Sequence, residues 1–313
     1  GRPLFVMAGL WAGGRVAGFA GADALGILAA ALDLAWLCGL VLFVARVSWR
    51  KRTTRLLAFL FWIGALAAAE AVARYGFVTG DAALAQSALR QTGFAFLALL
   101  GLALARITVP ITNLVLDPTE ETSPFRPHPG RLNLAAGLVA VMMAGDIAGL
   151  SETARGYLAI AAGAAFLDRT AEAFVGRAFF RAEILALGGS SALAGLGLML
   201  VGASRLGVAV PETAGLHVAL MGGLGLGVLA VFAVAGLLHT HQPLGLTRTT
   251  RLALIAFLAA TGLRVGPDLG LALAPATAHA LATVAWAAAF LLWLTAYWPA
   301  LSDPRTLEGD GTC

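Results

Sequence analysis

Long apolar runs dominate the chain, and short clusters of charged, Gly and Pro residues punctuate them. Crossing about 30 Å of hydrocarbon takes about 20 mostly apolar residues in a helix. Ten runs read as such spans: 3–21, 24–45, 56–77, 83–105, 132–150, 154–168, 183–204, 213–238, 250–266 and 275–298, with the sixth and ninth short. The alternating apolar/polar strands of a membrane barrel are absent. The pattern predicts an all-α fold, a polytopic transmembrane helical bundle forming one integral-membrane domain over 1–313. A polar, proline-broken cytoplasmic loop is expected at 107–131 and a short C-terminal tail at 299–313.

Composition supports the pattern. The 313 residues are 59% hydrophobic and only 12% charged, against about 25% charged in an average soluble domain. Mean hydropathy is +0.86. A soluble domain of this length would lack the ionisable side chains to cover its surface, so soluble, disordered and collagen-like classes are excluded. The chain opens on Gly1 and shows no signal-peptide pattern, which reads as a chain whose N-terminus lies further upstream.

Charge adds orientation. Of the 21 basic residues, Lys51 is the single lysine. Fifteen fall in the even-numbered connections and the two tails, such as Arg46, Arg50, Lys51, Arg52 and Arg55 after span two. The other six are Arg15, Arg74, Arg90, Arg155, Arg205 and Arg264. The positive-inside rule then places both observed ends in the cytoplasm. The net charge of +4 is spread over many loops, so nucleic acid is not an expected partner. Segment 169–182, with Phe174, Phe179 and Phe180 among three arginines, reads either as an interfacial helix or as a simple connection. Cys38 and Cys313 are not expected to bond.

Ionisable groups inside spans are costly and are paired or functional. The candidates are Arg15, Asp33, Glu70, Arg74, Arg90, Asp146 and Asp168. Glu70 and Arg74 are spaced to pair on one helix face, and Arg15 can reach Asp33 across the first hairpin. Asp146 needs a partner from another helix, a proton or water. The run Gly222, Gly223, Gly225, Gly227 lacks the strand and basic residue of a phosphate loop. Such glycines admit close helix packing or a flat ligand, as do Gly195, Gly197 and Gly202.

Five histidines carry candidate metal chemistry: His128, His217, His239, His241 and His279. His217 and His239 stand 22 residues apart on one predicted span. That is ~33 Å along an uninterrupted helix, with directions that agree within about 40°. They would mark two sites, one near each membrane surface. His217 and His279 lie at similar depth and meet if spans eight and ten are neighbours; His279 alone reads as a packing residue. His239 and His241 suit a chelate at the cytoplasmic end or a solvated pair. His128, between prolines, reads as solvated.

The stretch HVALMGGLGLGVLAVFAVAGLLHTHQP, from His217 to Pro243, resembles the NnrS family of bacterial haem- and copper-containing membrane proteins. His217, Gly222, Gly225, His239, Thr240 and Pro243 stand where the family motif has them. Arg2, Pro3, Leu10, Trp11, Gly14 and Arg15 look like the family's third span, Asp33 fits the next, and Arg106, Pro110, Thr112 and Asn113 are similar to an Arg–Pro–Thr–Asn connection. Family members usually have about twelve spans. The two that would precede this chain carry a His-Glu-Met motif that is absent here. Ala233 and Val234 replace the usual Thr-Arg, and His241 replaces a Gly. The resemblance implies an inner-membrane protein of nitric oxide metabolism or nitrosative-stress tolerance. Haem and copper are the implied cofactors and nitric oxide an implied ligand. His217 and His239 are the implied cofactor ligands; His217, His239, His241 and His279 are the wider metal-ligand set. The alternative is a metal-free secondary transporter or channel working through intramembrane Asp, Glu and Arg.

Overall fold

A computed structural model describes residues 2–20 and 22–307. The helices are α1 (Arg2–Ala20), α2 (Ala22–Arg50), α3 (Leu57–Thr79), α4 (Ala82–Leu116), α5 (Leu134–Ile147), α6 (Glu152–Arg169), α7 (Ala182–Arg205), α8 (Glu212–His217), α9 (Gly225–His239), α10 (Arg248–Val265), α11 (Pro275–Ser302) and α12 (Pro304–Leu307). A π-helical segment, Val218–Leu224, joins α8 to α9. Among the described residues there is no strand. Arg2, as a side chain, and Cys313 lie outside the described residues.

All ten predicted spans are helical, and the fold is the expected helical membrane bundle. Among the described residues, eight segments are long and apolar enough to cross a membrane: Pro3–Ala20, Gly26–Arg50, Leu57–Thr79, Ala82–Leu116, Pro129–Ile147, Ala182–Arg205, Glu212–His239 and Pro275–Ser302. The sixth and ninth predicted spans fall outside that set. They form α6 and α10, which carry charges at their ends: Glu152, Arg155, Asp168 and Arg169 on one, Arg248, Arg251 and Arg264 on the other.

The chain divides into two compact units, Gly1–Leu99 and Leu100–Cys313. In the first, α1 pairs with α2 and α2 with α3. In the second, α7 is the central rod, contacting α6, α8, the π segment and α9, while α10 packs along α11. The α7 contacts are close because glycines face each other. A Cβ on Gly195 would stand 2.7 Å from the Gly163 carbonyl, one on Gly202 2.6 Å from the Gly156 carbonyl, and one on Gly223 2.5 Å from the Ala194 nitrogen. With no hydrophobic force between helices in lipid, such backbone approach supplies the van der Waals contact that holds them.

One boundary moves. The loop expected from residue 107 begins at residue 117, because α4 runs through Pro110 to Leu116. Proline removes one ladder donor and normally stops a helix. Here Ile111 and Val115 on the far side of it pack with Ala173, Ile184 and Phe179, and that burial carries the helix onward. Segment 169–182 is neither a regular helix nor a plain loop. It forms two 3-10 turns, Thr170–Ala173 and Gly176–Phe180. Phe174 and Phe180 are exposed there, each against Phe179 with ring centroids 5.4 Å apart.

Candidate functional site

Most ionisable residues inside the helices are drawn into ion-paired groups. In the first unit, Asp33 on α2 is 3% exposed. Its Oδ2 accepts from Arg15 of α1 and from Nη2 of Arg74 of α3, the latter at 2.7 Å. Arg74 Nε donates to Glu70 at 2.8 Å. Both expected pairs, across the hairpin and along α3, are present, and Arg74 joins them into one four-residue network. Gly14 makes room for it, since a Cβ there would collide with Asp33 Oδ1. That oxygen is buried and has no hydrogen-bond partner. A cavity of about 220 Å³ beside the network is lined by Trp11, Trp36, Glu70 and Phe96.

The second group lies in the larger unit. Asp146, at the end of α5, finds its partner on α7: Arg205 donates to Oδ1 at 2.9 Å and to Oδ2 at 3.4 Å. Arg205 also donates to Glu212 at 2.9 Å. Asp168 is held by Arg131 through two bonds of 2.6 and 2.9 Å. Arg90 is exposed.

The histidines separate by environment. His128, His239 and His241 are exposed, while His217 and His279 are half-buried. His217 Nδ1 lies 2.7 Å from the Thr213 carbonyl oxygen. A carbonyl only accepts, so Nδ1 carries the proton and Nε2 keeps its lone pair. Metal-ligating histidines are held in this way, one ring nitrogen donating to a carbonyl and the other presented to the metal. His279 is arranged oppositely. Arg264 Nη1 approaches its Nε2 at 2.6 Å; a guanidinium only donates, so that lone pair is already used. Arg264, Asp268 and His279 are within electrostatic reach of the His217 ring. The contact that is present is between Arg264 and His279, while His217 feels both of them electrostatically.

His217 and His239 do not share an uninterrupted α-helix. The π segment starts at Val218, directly after His217, so the 100° step that aligned the two rings does not apply across it. Wider i→i+5 turns of this kind recur at functional sites. The π segment is braced from α7, where the Ser190 hydroxyl donates to the Gly223 carbonyl at 2.7 Å. The nearby glycines are taken up by protein. Gly225 abuts the Phe257 ring, Gly223 the α7 backbone, and Gly227 Ser190. Close packing, not a flat ligand, occupies that face.

Among the described residues no group of three or more His, Cys, Asp or Glu side chains converges to hold a metal. His241 adopts a left-handed backbone with φ 53°, just past the C-terminus of α9. Ala233 and Val234 are fully buried. Sequence reasoning passed over Thr213, Arg264, Arg205 and Glu212. The first stands one turn before a histidine, a usable signal; the arginines were counted only as loop charges.

No curated protein and no solved structure matches the chain. The family model described as NnrS protein matches residues 1–305. The chain belongs to the NnrS family, and with its long apolar helices it is a membrane protein of the kind associated with the nitric oxide response.

Proposed function

We propose that the chain is a haem- and copper-binding protein of the bacterial inner membrane that serves nitric oxide metabolism or nitrosative-stress tolerance. Both observed ends face the cytoplasm, following the distribution of arginines. The observation that carries the haem reading is the His217 ring, half-buried, with Nδ1 committed to Thr213 and Nε2 left as a lone-pair donor.

The fit is specific to one histidine. A porphyrin supplies four nitrogens itself, so the protein would need to add one well-aimed imidazole and no cluster of ligands. His217 meets that need. His279 does not, because Arg264 holds its Nε2; its role is to position Arg264. That guanidinium places positive charge near the His217 ring, suited to an anionic propionate. When bound, haem would supply an iron that takes nitric oxide or passes one electron. The chain's own part is to fix the imidazole, balance charge and exclude water. Copper would be taken by His239 and His241, both exposed at a helix C-terminus where the dipole favours a cation.

The ion pairs favour this reading over a metal-free transporter. Asp33, Glu70 and Asp146 are each held by arginine, as structural charges are.

The test is the absorption spectrum of the purified protein. The expected result is a haem Soret band that disappears in His217→Ala and persists in His279→Ala. A colourless wild-type protein with an intact fold overturns the haem reading. Copper content should fall in the His239→Ala/His241→Ala double variant while the Soret band stays.

A further inference from the structure

A cleft of the second unit has no histidine in its lining. It has a volume of about 730 Å³ and opens between α7 and α10. Its walls are apolar, built from Leu193, Leu254, Ile255 and Leu258, and Arg181 and Arg251 stand at one end. Leu226 of α9, itself buried, forms the floor, 3.4 Å from where a Cβ on Gly189 would stand. The cleft follows α7 from residue 181 to residue 193, a rise of ~18 Å.

The charge at its mouth is only partly cancelled: Glu183 Oε2 lies 3.8 Å from Arg181 Nε, and Arg251 leaves the mouth with a net positive charge. Glu183, the acidic residue there, is 3% exposed, and its Oε1 accepts the backbone N–H of Leu246 at 3.1 Å. Arg181 donates through Nη1 to the Val115 carbonyl at 2.8 Å, and Arg251 through Nε to the Leu246 carbonyl at 3.1 Å. Those bonds anchor both guanidinium groups on backbone oxygens; each group carries five N–H donors, so donors remain on both after these bonds and the Glu183 contact. Two fixed guanidinium groups above an apolar slot match one amphiphile: a phosphate at the mouth and a hydrocarbon chain below it. Phe180, also lining the cleft, is 77% exposed. It stands beside Arg181, where an aromatic ring meets the headgroup level of a bilayer.

We propose that this cleft is a binding site for an anionic phospholipid, with the phosphodiester held by Arg181 and Arg251 and one acyl chain lying between α7 and α10. The site is independent of haem or copper and involves none of the histidines.

The experiment uses the purified chain in nanodiscs of mixed phosphatidylglycerol and phosphatidylcholine, transferred to detergent, with retained lipid counted by native mass spectrometry. Phosphatidylglycerol should be retained in preference to phosphatidylcholine. Arg181→Gln/Arg251→Gln should weaken its retention about thirtyfold, two surface arginine contributions taken together, and leave phosphatidylcholine unchanged. Ala192→Phe, which puts a ring into the cleft and keeps both arginines, should also abolish retention, with near-ultraviolet circular dichroism confirming the fold. Equal retention of the two lipids overturns the proposal. So does undiminished phosphatidylglycerol binding in the double arginine variant, or displacement of the lipid by glycerol 3-phosphate, which has the headgroup charge and no chains.

Discussion

The two half-buried clusters use similar side chains to different ends. Around Asp33, two arginines and two carboxylates close on one another, and the formal charges sum to nothing. Around His217, an arginine, an aspartate and two imidazoles are gathered, yet one imidazole lone pair is left over. Buried ion pairs contribute little net stability against an apolar alternative, but breaking one is expensive. A cluster that balances internally therefore fixes helices in place, while a cluster with a spare donor nitrogen is equipped for a ligand. Residue type alone does not separate them; the acceptor each donor has already found does.

The comparison breaks most directly at Asp33. Asp33→Ala should cost about 3–5 kcal/mol, because Arg74 and Arg15 lose their shared acceptor inside the bundle. Thermal unfolding in detergent would show it, and Gly14→Ala should reproduce part of the loss by displacing the carboxylate. If Asp33→Ala unfolds like wild type but abolishes a measured transport activity, the cluster is a functional site and the contrast fails.

A smaller loss is expected at the helix packing that frames the second cluster. Gly223→Ala would place a Cβ 2.5 Å from the Ala194 nitrogen and push the π segment off α7. Overpacking of this kind costs about 1–3 kcal/mol. Because His217 immediately precedes that segment, the variant should also lower haem content per folded chain, as read from the ratio of Soret to protein absorbance.

Smaller again is Arg264→Ala. It removes a charged hydrogen bond at a half-buried site, worth about 1–2 kcal/mol, and frees His279 Nε2. The Soret band should remain, since His217 is untouched, and its position should move. An unchanged spectrum would show that Arg264 does not reach the haem environment.

These residues show what was legible in the sequence and what was not. The spans were legible because apolar runs of helical length have few other uses, and the hairpin pair of Arg15 and Asp33 followed from sequence neighbours. Asp146 and Arg205 were not legible as a pair, since they lie 59 residues apart with a whole helix between them. That Arg264 takes up His279 Nε2 depended on which turns of α10 and α11 neighbour, a tertiary fact. The π segment was hidden because a glycine pair lowers helix propensity without stating which helix replaces it. Pro110 misled in the other direction, as burial of Ile111 and Val115 outweighed the lost donor.

The smallest effect sharpens the contrast from outside the membrane. Asp117, in the loop after α4, is satisfied by local neutral donors instead of arginines: the backbone N–H groups of Thr119 and Thr122 at 3.0 and 2.7 Å, and both threonine hydroxyls. Those bonds, the hydroxyls foremost, lower its pKa to about 2. The folded-state value is thus below the unfolded one, so the loop's stabilisation is complete above the ordinary carboxylate range. It is lost as pH falls through about 4 toward about 2. Amide exchange at Thr119 and Thr122, corrected for intrinsic rates, should show protection that holds down to about pH 4 and declines below it. Asp117→Asn, which keeps one acceptor oxygen and no charge, should show the weaker protection at every pH. Protection that stays unchanged from about pH 5 down to about pH 2 would overturn this, and the carboxylate would then be a bystander.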